Sequence, residues 1–119
     1  MSRKAVAPDQ GEVVWLDHDP QAGHEQAGRR PTLVLSPKAY NAATGLMLCC
    51  PITNQVKGYP FEVELVGVKA LRGVILSDQV RSLDWEARRA ERAGRAADDV
   101  LSDVLTKLKV LLPSAGVRR

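Results

Sequence analysis

Short runs of β-forming and apolar residues occupy most of the first 85 positions of this chain. Pro37 and Pro51 end or interrupt two of the runs, and Phe61 opens a stretch that alternates apolar with acidic side chains, as a half-buried strand does. The runs lie at residues 11–17, 32–36, 46–52, 61–66 and 73–82. The pattern predicts a mainly β fold with at least five strands before residue 85, and a turn or single helical turn over residues 37–45.

The end of the chain predicts an amphipathic helix. Its apolar residues recur at helical spacing: Val100, Leu101, Val104, Leu105, Leu108 and Leu111. Asp98 and Asp99 suit the N-terminus of a helix, Lys107 and Lys109 suit its C-terminus, and Pro113 ends it. We expect the apolar stripe to pack on the sheet, with a partner-binding face as the alternative.

Length and charge set further limits. The 119 residues fit one domain, residues 1–119, and 17 Lys and Arg against 14 Asp and Glu give a net charge of +3, which permits a polyanionic partner without requiring one. No apolar run approaches the roughly 18 residues of a membrane span. Residues 1–8 carry positive charge but no apolar signal core. We therefore expect a cytoplasmic protein with no membrane partner.

Cysteines and histidines give little sign of chemistry. Cys49 and Cys50 are adjacent in an apolar run, so in a strand they point to opposite faces, and we expect two buried, unpaired thiols. His18 and His24 lie in a predicted loop with no Cys or second acid at metal-ligand spacing. We predict no metal site and no cofactor.

The loop that precedes the second strand has the composition of an active site. Residues 25–31 combine Glu25, Gln26 and the pair Arg29 and Arg30 around a glycine. A guanidinium stays protonated and offers a planar fork of donors to phosphate oxygens. Because a strand follows directly, we expect Arg30 to be held rigidly and the substrate to be an anion.

Several separated motifs occur together in one order. They are residues 11–17 (GEVVWLD), Asp19-Pro20 and Gly23, residues 25–31 (EQAGRRP), 51–55 (PITNQ), 57–63 (KGYPFEV) and 77–82 (SDQVRS). With these motifs the chain resembles the MazF/PemK family of toxin endoribonucleases over about residues 10–112. The resemblance implies a strongly bent antiparallel sheet of SH3-like small-barrel type with a C-terminal helix, flexible tails on either side of the core, and a homodimer.

The family resemblance also implies a reaction and its catalytic residues. Metal-free cleavage of single-stranded RNA uses the 2'-hydroxyl as nucleophile and leaves a 2',3'-cyclic phosphate and a 5'-hydroxyl. Arg30 matches the family's catalytic arginine, for phosphorane stabilisation and proton transfer to the leaving oxygen, and Thr53 matches its catalytic threonine. Glu25 orients Arg30 or the loop, or acts as the base; a surface ion pair is the alternative.

The remaining site predictions concern RNA binding. Arg29 stands where relatives often have a histidine, so the role of general acid that a histidine could play there does not transfer to this chain. We expect Arg29 to bind a neighbouring phosphate instead. Four further positions match residues that line the RNA groove in relatives: Asp17, Asn41, Lys57 and Gln79. Together with Arg81 they form the predicted RNA-binding set. Trp15 and Tyr59 stack bases or pack in the core.

One segment and one functional question have competing answers. Residues 85–93 are rich in helix formers, but Arg88 and Arg92 would repel each other on a helix. The resemblance implies a strand, and a strand is what we predict.

The function that the resemblance implies is the toxin of a toxin-antitoxin pair, silenced by an acidic antitoxin that covers the RNA groove. The alternatives are a gyrase poison of the same fold, or a catalytically silent RNA-binding module.

Overall fold

The structure, a computed structural model, describes residues 6–17 and 28–114. Its elements are β1 (Glu12–Asp17), β2 (Arg29–Val34), α1 (Lys38–Thr44), β3 (Leu46–Thr53), β4 (Glu62–Glu64), β5 (Val74–Leu76), β6 (Arg81–Asp84), β7 (Glu91–Arg95) and α2 (Asp98–Val110). Among the residues described, six strands precede residue 85, in agreement with the prediction of at least five. The predicted turn at residues 37–45 is longer than expected, because α1 has seven residues and ends at Gly45 in the left-handed conformation, with φ of 77°. No helix among the described residues is long and apolar enough to cross a membrane.

All strand pairs are antiparallel, and β3 is the strand on which the sheet bends. Its first half pairs with β6, from Leu46 opposite Asp84 to Cys49 opposite Arg81. Its end pairs with β5, where Thr53 lies opposite Val74. The described strands follow the order β4-β5-β3-β2-β1-β7, with β6 beside β3. The predicted bent antiparallel sheet with a C-terminal helix is confirmed, and the sheet is bent without closing between β4 and β7.

Two apolar clusters lie on the two faces of this sheet, because neighbouring strand residues point in opposite directions. One cluster contains Val13 and Cys50 together with Val104 of α2, and the other contains Val14 and Cys49. The two cysteines are buried, unpaired and on opposite faces, as expected from their positions in a strand. Burial raises the pKa of each thiol to about 12.

Helix α2 packs as its apolar stripe predicts. Val100 and Val104 are buried in the first cluster, and Leu101, Leu105 and Leu108 pack against it. Core packing is therefore the role of most of the stripe. Leu111 is the exception, since it follows the last helical residue and is 45% exposed.

Asn41 belongs to the interior of the protein, so its prediction as a groove residue is wrong. Its side chain is 0% exposed. Its amide donates to the carbonyls of Pro8 and Ser36 at 2.8 and 3.0 Å, and its Oδ1 accepts from Ser36 Oγ at 2.6 Å. The backbone carbonyl of Asn41 also accepts from Trp85 Nε1 at 2.8 Å. These bonds satisfy a buried amide and fix α1 against the sheet.

Residues 85–93 divide into two parts, and the strand prediction is right for the second part alone. Residues 85–89 form turns, in which Arg88 N donates to Asp84 O at 3.1 Å and Arg89 adopts a positive φ of 55°. β7 begins at Glu91 and pairs with β1. The high helix propensity of the segment is overridden by this pairing with β1.

Ser77 and Ser36 provide a matched test of buried hydroxyls. Ser77 Oγ is buried and has no hydrogen-bond partner among the described residues, whereas Ser36 Oγ donates to Asn41 and accepts from Leu48 N at 2.8 Å. We expect Ser77→Ala to leave the free energy of unfolding unchanged or raised by up to about 1 kcal/mol, and Ser36→Ala to lower it by about 1–3 kcal/mol. Urea denaturation of both variants measures the difference, and equal losses would contradict this assignment.

Candidate active site

Strand β2 positions the two arginines of the signature segment. Arg29 lies opposite Asp17 on β1, and Arg30 lies opposite Leu16. Both residues are in the strand itself, which therefore begins earlier than the predicted strand at residues 32–36. Arg30 pairs with Leu16 on β1, and β2 also pairs with β3 over residues 32–34, so the backbone of Arg30 is anchored to the sheet on its β1 side. Glu25, His18 and His24 lie outside the described residues.

Arg30 and Thr53 line one cleft, which we call the arginine cleft. It has a volume of about 430 Å³ and is open to solvent. The residues that line it are Trp15, Arg29, Arg30, Pro31, Ile52, Thr53, Asn54, Gln55, Leu71 and Arg72. Three of these side chains are guanidinium groups and none is a carboxylate. Among the described residues, the cleft therefore concentrates positive charge beside one hydroxyl group.

The Thr53 hydroxyl is oriented by its own turn. Its Oγ1 accepts a hydrogen bond from the backbone N–H of Gln55 at 3.1 Å. A hydroxyl has one hydrogen to donate in addition to its acceptor lone pairs. With an acceptor position already used by Gln55, the hydrogen of Thr53 is available for an oxygen of a bound anion in the cleft.

A second, smaller cleft adjoins the first, and we call it the loop cleft. It has a volume of about 130 Å³ and is lined by Thr53, Gln55, Lys57, Tyr59, Glu62, Leu76 and Gln79. Thr53 and Gln55 line both clefts, so the two are adjacent. The predicted groove residues Lys57 and Gln79 therefore lie in one cleft, next to Thr53.

A carboxylate and a phenol hold the loop cleft in shape. Glu62 accepts from the backbone N–H groups of Lys57 and Gly58 at 2.9 and 2.8 Å. The Tyr59 hydroxyl donates to Asp78 Oδ1 at 2.8 Å, and this hydrogen bond raises the pKa of Tyr59. The phenol therefore stays protonated and keeps its polar end at the surface.

Arg29, which lines the arginine cleft, is also part of an ionic network. Arg29 donates to Asp17 Oδ1 at 3.1 Å and to Glu91 Oε1 at 3.2 Å, and Arg89 Nε donates to Asp17 Oδ2 at 2.8 Å. Hydrogen bonds from Arg89 and Arg29 lower the pKa of Asp17 from 3.8 to about 2. The fork of Arg29 is thus engaged within the protein, and a phosphate grip by Arg29 requires an RNA oxygen to share it.

Asp17 makes the stability of this network depend on pH. Its carboxyl has a lower pKa folded than unfolded, so its contribution is present above about pH 3.8 and is lost as the pH falls towards 2. We expect Asp17→Asn to lower Tm at pH 6, and the difference from the parent protein to shrink between pH 4 and about 2. Thermal melts across this range, with Asp103→Asn on α2 as the control, test this. A difference that stays constant with pH would contradict it.

The predicted site residues thus fall into separate groups. Arg29, Arg30, Thr53, Lys57 and Gln79 line the two clefts. Asp17 supports Arg29 from the adjacent strand, and Asn41 is buried. Arg81 is exposed on β6 but lines neither cleft, and its RNA-binding role stays a prediction. Sequence reasoning did not single out Arg72, which lies outside every motif. The available signal was the pair of apolar runs on either side of Arg72. Two such runs predict neighbouring strands, and the segment that joins paired strands must return to the sheet.

Fold and site together define a small bent β-sheet protein whose strand ends and loops form a cationic groove. The chain belongs to the PemK-like, MazF-like toxins of type II toxin-antitoxin systems, whose family model matches residues 9–112. The family resemblance inferred from the motifs is confirmed.

Individual relatives agree with this assignment. The chain is 50% identical over 105 residues to the endoribonuclease toxin MazF of Escherichia coli K12, which covers 88% of this chain and 94% of the relative. A crystal structure of MazF from Deinococcus radiodurans superposes with a TM-score of 0.81 at 57% identity, over 91% of this chain and 98% of that one. A MazE-MazF structure from the same organism matches with a TM-score of 0.80 at 51% identity, over 91% and 97% of the two chains.

Proposed function

We propose that this chain is the endoribonuclease toxin of a toxin-antitoxin pair and cuts single-stranded mRNA in the arginine cleft. The observation that carries the proposal is that Arg30 and Thr53, which lie far apart in sequence, line the same cleft. Relatives that cover most of the chain at 50% identity are named endoribonucleases. Because mRNA is the substrate, the protein acts in the cytoplasm.

The proposed reaction uses the substrate's own nucleophile. The 2'-hydroxyl oxygen attacks the adjacent phosphorus, the bond from phosphorus to the 5'-oxygen breaks, and a 2',3'-cyclic phosphate forms. A base removes the 2'-hydroxyl proton, and the departing 5'-oxygen gains a proton. No step requires a metal ion.

The protein's contribution is placed charge and hydrogen bonding. Arg30 stabilises the negative charge that grows on the phosphoryl oxygens and transfers a proton to the leaving 5'-oxygen. Thr53 donates its hydroxyl hydrogen to a non-bridging oxygen, while the Gln55 N–H holds that hydroxyl in position. Glu25 orients Arg30 or serves as the base.

The RNA runs from the arginine cleft into the loop cleft. The two clefts adjoin at Thr53 and Gln55, which supports this path. Lys57 offers a cation and Gln79 offers an amide at the far end, so a phosphate and a base edge of the next nucleotide are suitable ligands there. Arg81 extends the cationic surface along β6.

The decisive experiment is incubation of the purified protein with a long single-stranded RNA in EDTA. We expect discrete fragments at the same rate with and without the chelator, and mass spectrometry should find a cyclic phosphate on each upstream fragment. Binding without cutting would support a silent RNA-binding module. Inhibition of gyrase without RNA cleavage would support a gyrase poison.

We further propose that the chain works as a homodimer and that an acidic antitoxin covers its groove. The MazF of Deinococcus radiodurans crystallises with MazE, which supports a partner of this kind. A disordered acidic segment gains a large contact area by folding on a basic surface, and its association is fast and salt-sensitive. Light scattering measures the oligomeric state, and a short acidic reading frame next to the gene is expected.

Lys57→Glu tests whether inhibitor and RNA share the groove. Because the reversal places a negative charge in the loop cleft, we expect both RNA and antitoxin binding to weaken by about tenfold or more. Lys109→Glu, in the last turn of α2 and outside the lining of both clefts, is the matched control. Weakened RNA binding with intact antitoxin inhibition would mean that the antitoxin acts elsewhere.

A further inference from the structure

We propose that Arg72 binds the RNA phosphate next to the scissile one, and so sets the affinity for substrate without taking part in the chemical step. This inference rests on the proposed function, since it assigns a phosphate-binding residue to the same site. Arg72 lies in the segment between β4 and β5, and it lines the arginine cleft together with Arg30 and Thr53. Lys69, on the same segment, lines neither cleft.

Gly73 holds this segment close to the end of β3, the strand that carries Thr53. Its φ of 137° is a conformation that side chains disfavour, and a Cβ built at this position would lie 2.4 Å from the carbonyl oxygen of Thr53. The carbonyl of Gly73 also accepts from Leu65 N at 2.9 Å, and the next residue, Val74, pairs with Thr53. The backbone that carries Arg72 is therefore fixed relative to the hydroxyl of Thr53.

Charge distinguishes Arg72 from Arg29, another arginine of this cleft. Arg29 forms ion pairs with Asp17 and Glu91 at 3.1 and 3.2 Å. Within residues 6–17 and 28–114, Arg72 is exposed and its side chain forms no ion pair or hydrogen bond. No carboxylate of the described chain lines the cleft to neutralise it. An exposed fork of donors, held beside Thr53 and not engaged by an acid of the described residues, matches the oxygens of a second phosphate.

The number of RNA phosphates that the protein's cations contact sets the salt dependence of binding, so salt provides the test. The probe is an RNA oligonucleotide that contains a mapped cut site, with one deoxynucleotide at the scissile position. Fluorescence anisotropy gives its Kd for the full-length protein across a range of salt concentrations. We expect Arg72→Ala to raise Kd about tenfold and to reduce the slope of log K against log salt by about 0.7, the value for one lost phosphate contact on a single strand.

Three comparisons keep the test specific. Lys69→Ala removes the same charge from the same segment outside both clefts, and we expect its Kd and salt slope to stay near those of the parent. Arg72→Lys should restore the salt slope while recovering part of the affinity, because a lysine keeps the charge but loses the fork. On cleavable RNA, Arg72→Ala should raise KM and leave kcat within about threefold of the parent.

Each adverse result has a separate meaning. If Arg72→Ala behaves like Lys69→Ala while the parent cuts RNA, the role of Arg72 is wrong and the proposed function stands. If Arg72→Ala changes which sequences are cut, the residue reads a base and the phosphate assignment is overturned. If kcat falls as far as for an Arg30 variant, Arg72 acts in the chemical step. A parent that cuts no RNA would overturn the proposed function itself.

Discussion

Replacing Arg30 with alanine is expected to lower single-turnover cleavage by about a hundredfold to a thousandfold. This is the usual loss when one preorganised donor to a developing oxyanion is removed. Folding should survive, because the Arg30 side chain is exposed at the end of a strand whose backbone pairing does not need it. Quench-flow or gel assays under single-turnover conditions measure the change, and circular dichroism verifies the fold.

A matched variant separates this catalytic effect from a general loss of positive charge. Arg92 is also an arginine of the sheet, but it lies on β7, pairs with Glu12 at 2.8 Å and lines neither cleft. Arg92→Ala should therefore cut RNA at nearly the parent rate. Thr53→Ala should lose activity much as Arg30→Ala does, and Thr53→Ser should recover most of it. Rates within threefold of the parent for both Arg30→Ala and Thr53→Ala would refute the assignment.

The largest effect of all is expected from a change in the substrate. A single deoxynucleotide at the scissile position removes the proposed nucleophile, so cleavage there should stop while binding persists. The modified RNA should then inhibit cutting of normal RNA. The same oligonucleotide with a deoxynucleotide several positions away serves as the control and should be cut normally.

The end groups of the RNA products distinguish attack by the 2'-hydroxyl from attack by an activated water molecule. Attack by the 2'-hydroxyl leaves a cyclic phosphate upstream and a 5'-hydroxyl downstream. Continued cutting of the deoxy substrate, or a 5'-phosphate on the downstream fragment, would show that the nucleophile is not the 2'-hydroxyl. Arg30 and Thr53 would then need roles in positioning a water molecule.

Periodicity predicted most of the strands because burial leaves a direct pattern in the sequence. Leu46 to Thr53 is an apolar run, and α2 carries its stripe at helical spacing, so both were found within a few residues. The turns at residues 85–89 were not. Helix propensity favours a helix there and the family resemblance implied the strand that was predicted, whereas the actual conformation depends on contacts with β1. Asp17 N, for example, donates to the carbonyl of Arg88 at 2.9 Å, a contact that no local pattern encodes.

Site residues that belong to a multi-residue motif could be predicted from the sequence. Residues whose position depends on tertiary contacts could not. The segment with Arg29 and Arg30, and the motif with Thr53, are recognisable as blocks. Asn41 is polar and lies in a predicted turn, and nothing in its sequence context signals that Ser36 and Trp85 enclose it. Arg72 is brought to the cleft by the close approach of Gly73 to Thr53, which is a tertiary feature.

Cys49 and Cys50 are buried on opposite faces of the sheet, so the reactivity of each thiol reports when its own face becomes exposed. With thiol pKa values raised to about 12, neither Cys49 nor Cys50 forms a reactive thiolate at neutral pH while it stays buried. Each thiol becomes available to a modifying reagent when its own face of the sheet opens. Variants that keep only one of the two cysteines therefore report the opening of each face separately. Comparing their labelling rates shows whether the apolar cluster under α2 and the cluster around Trp85 open together or one before the other.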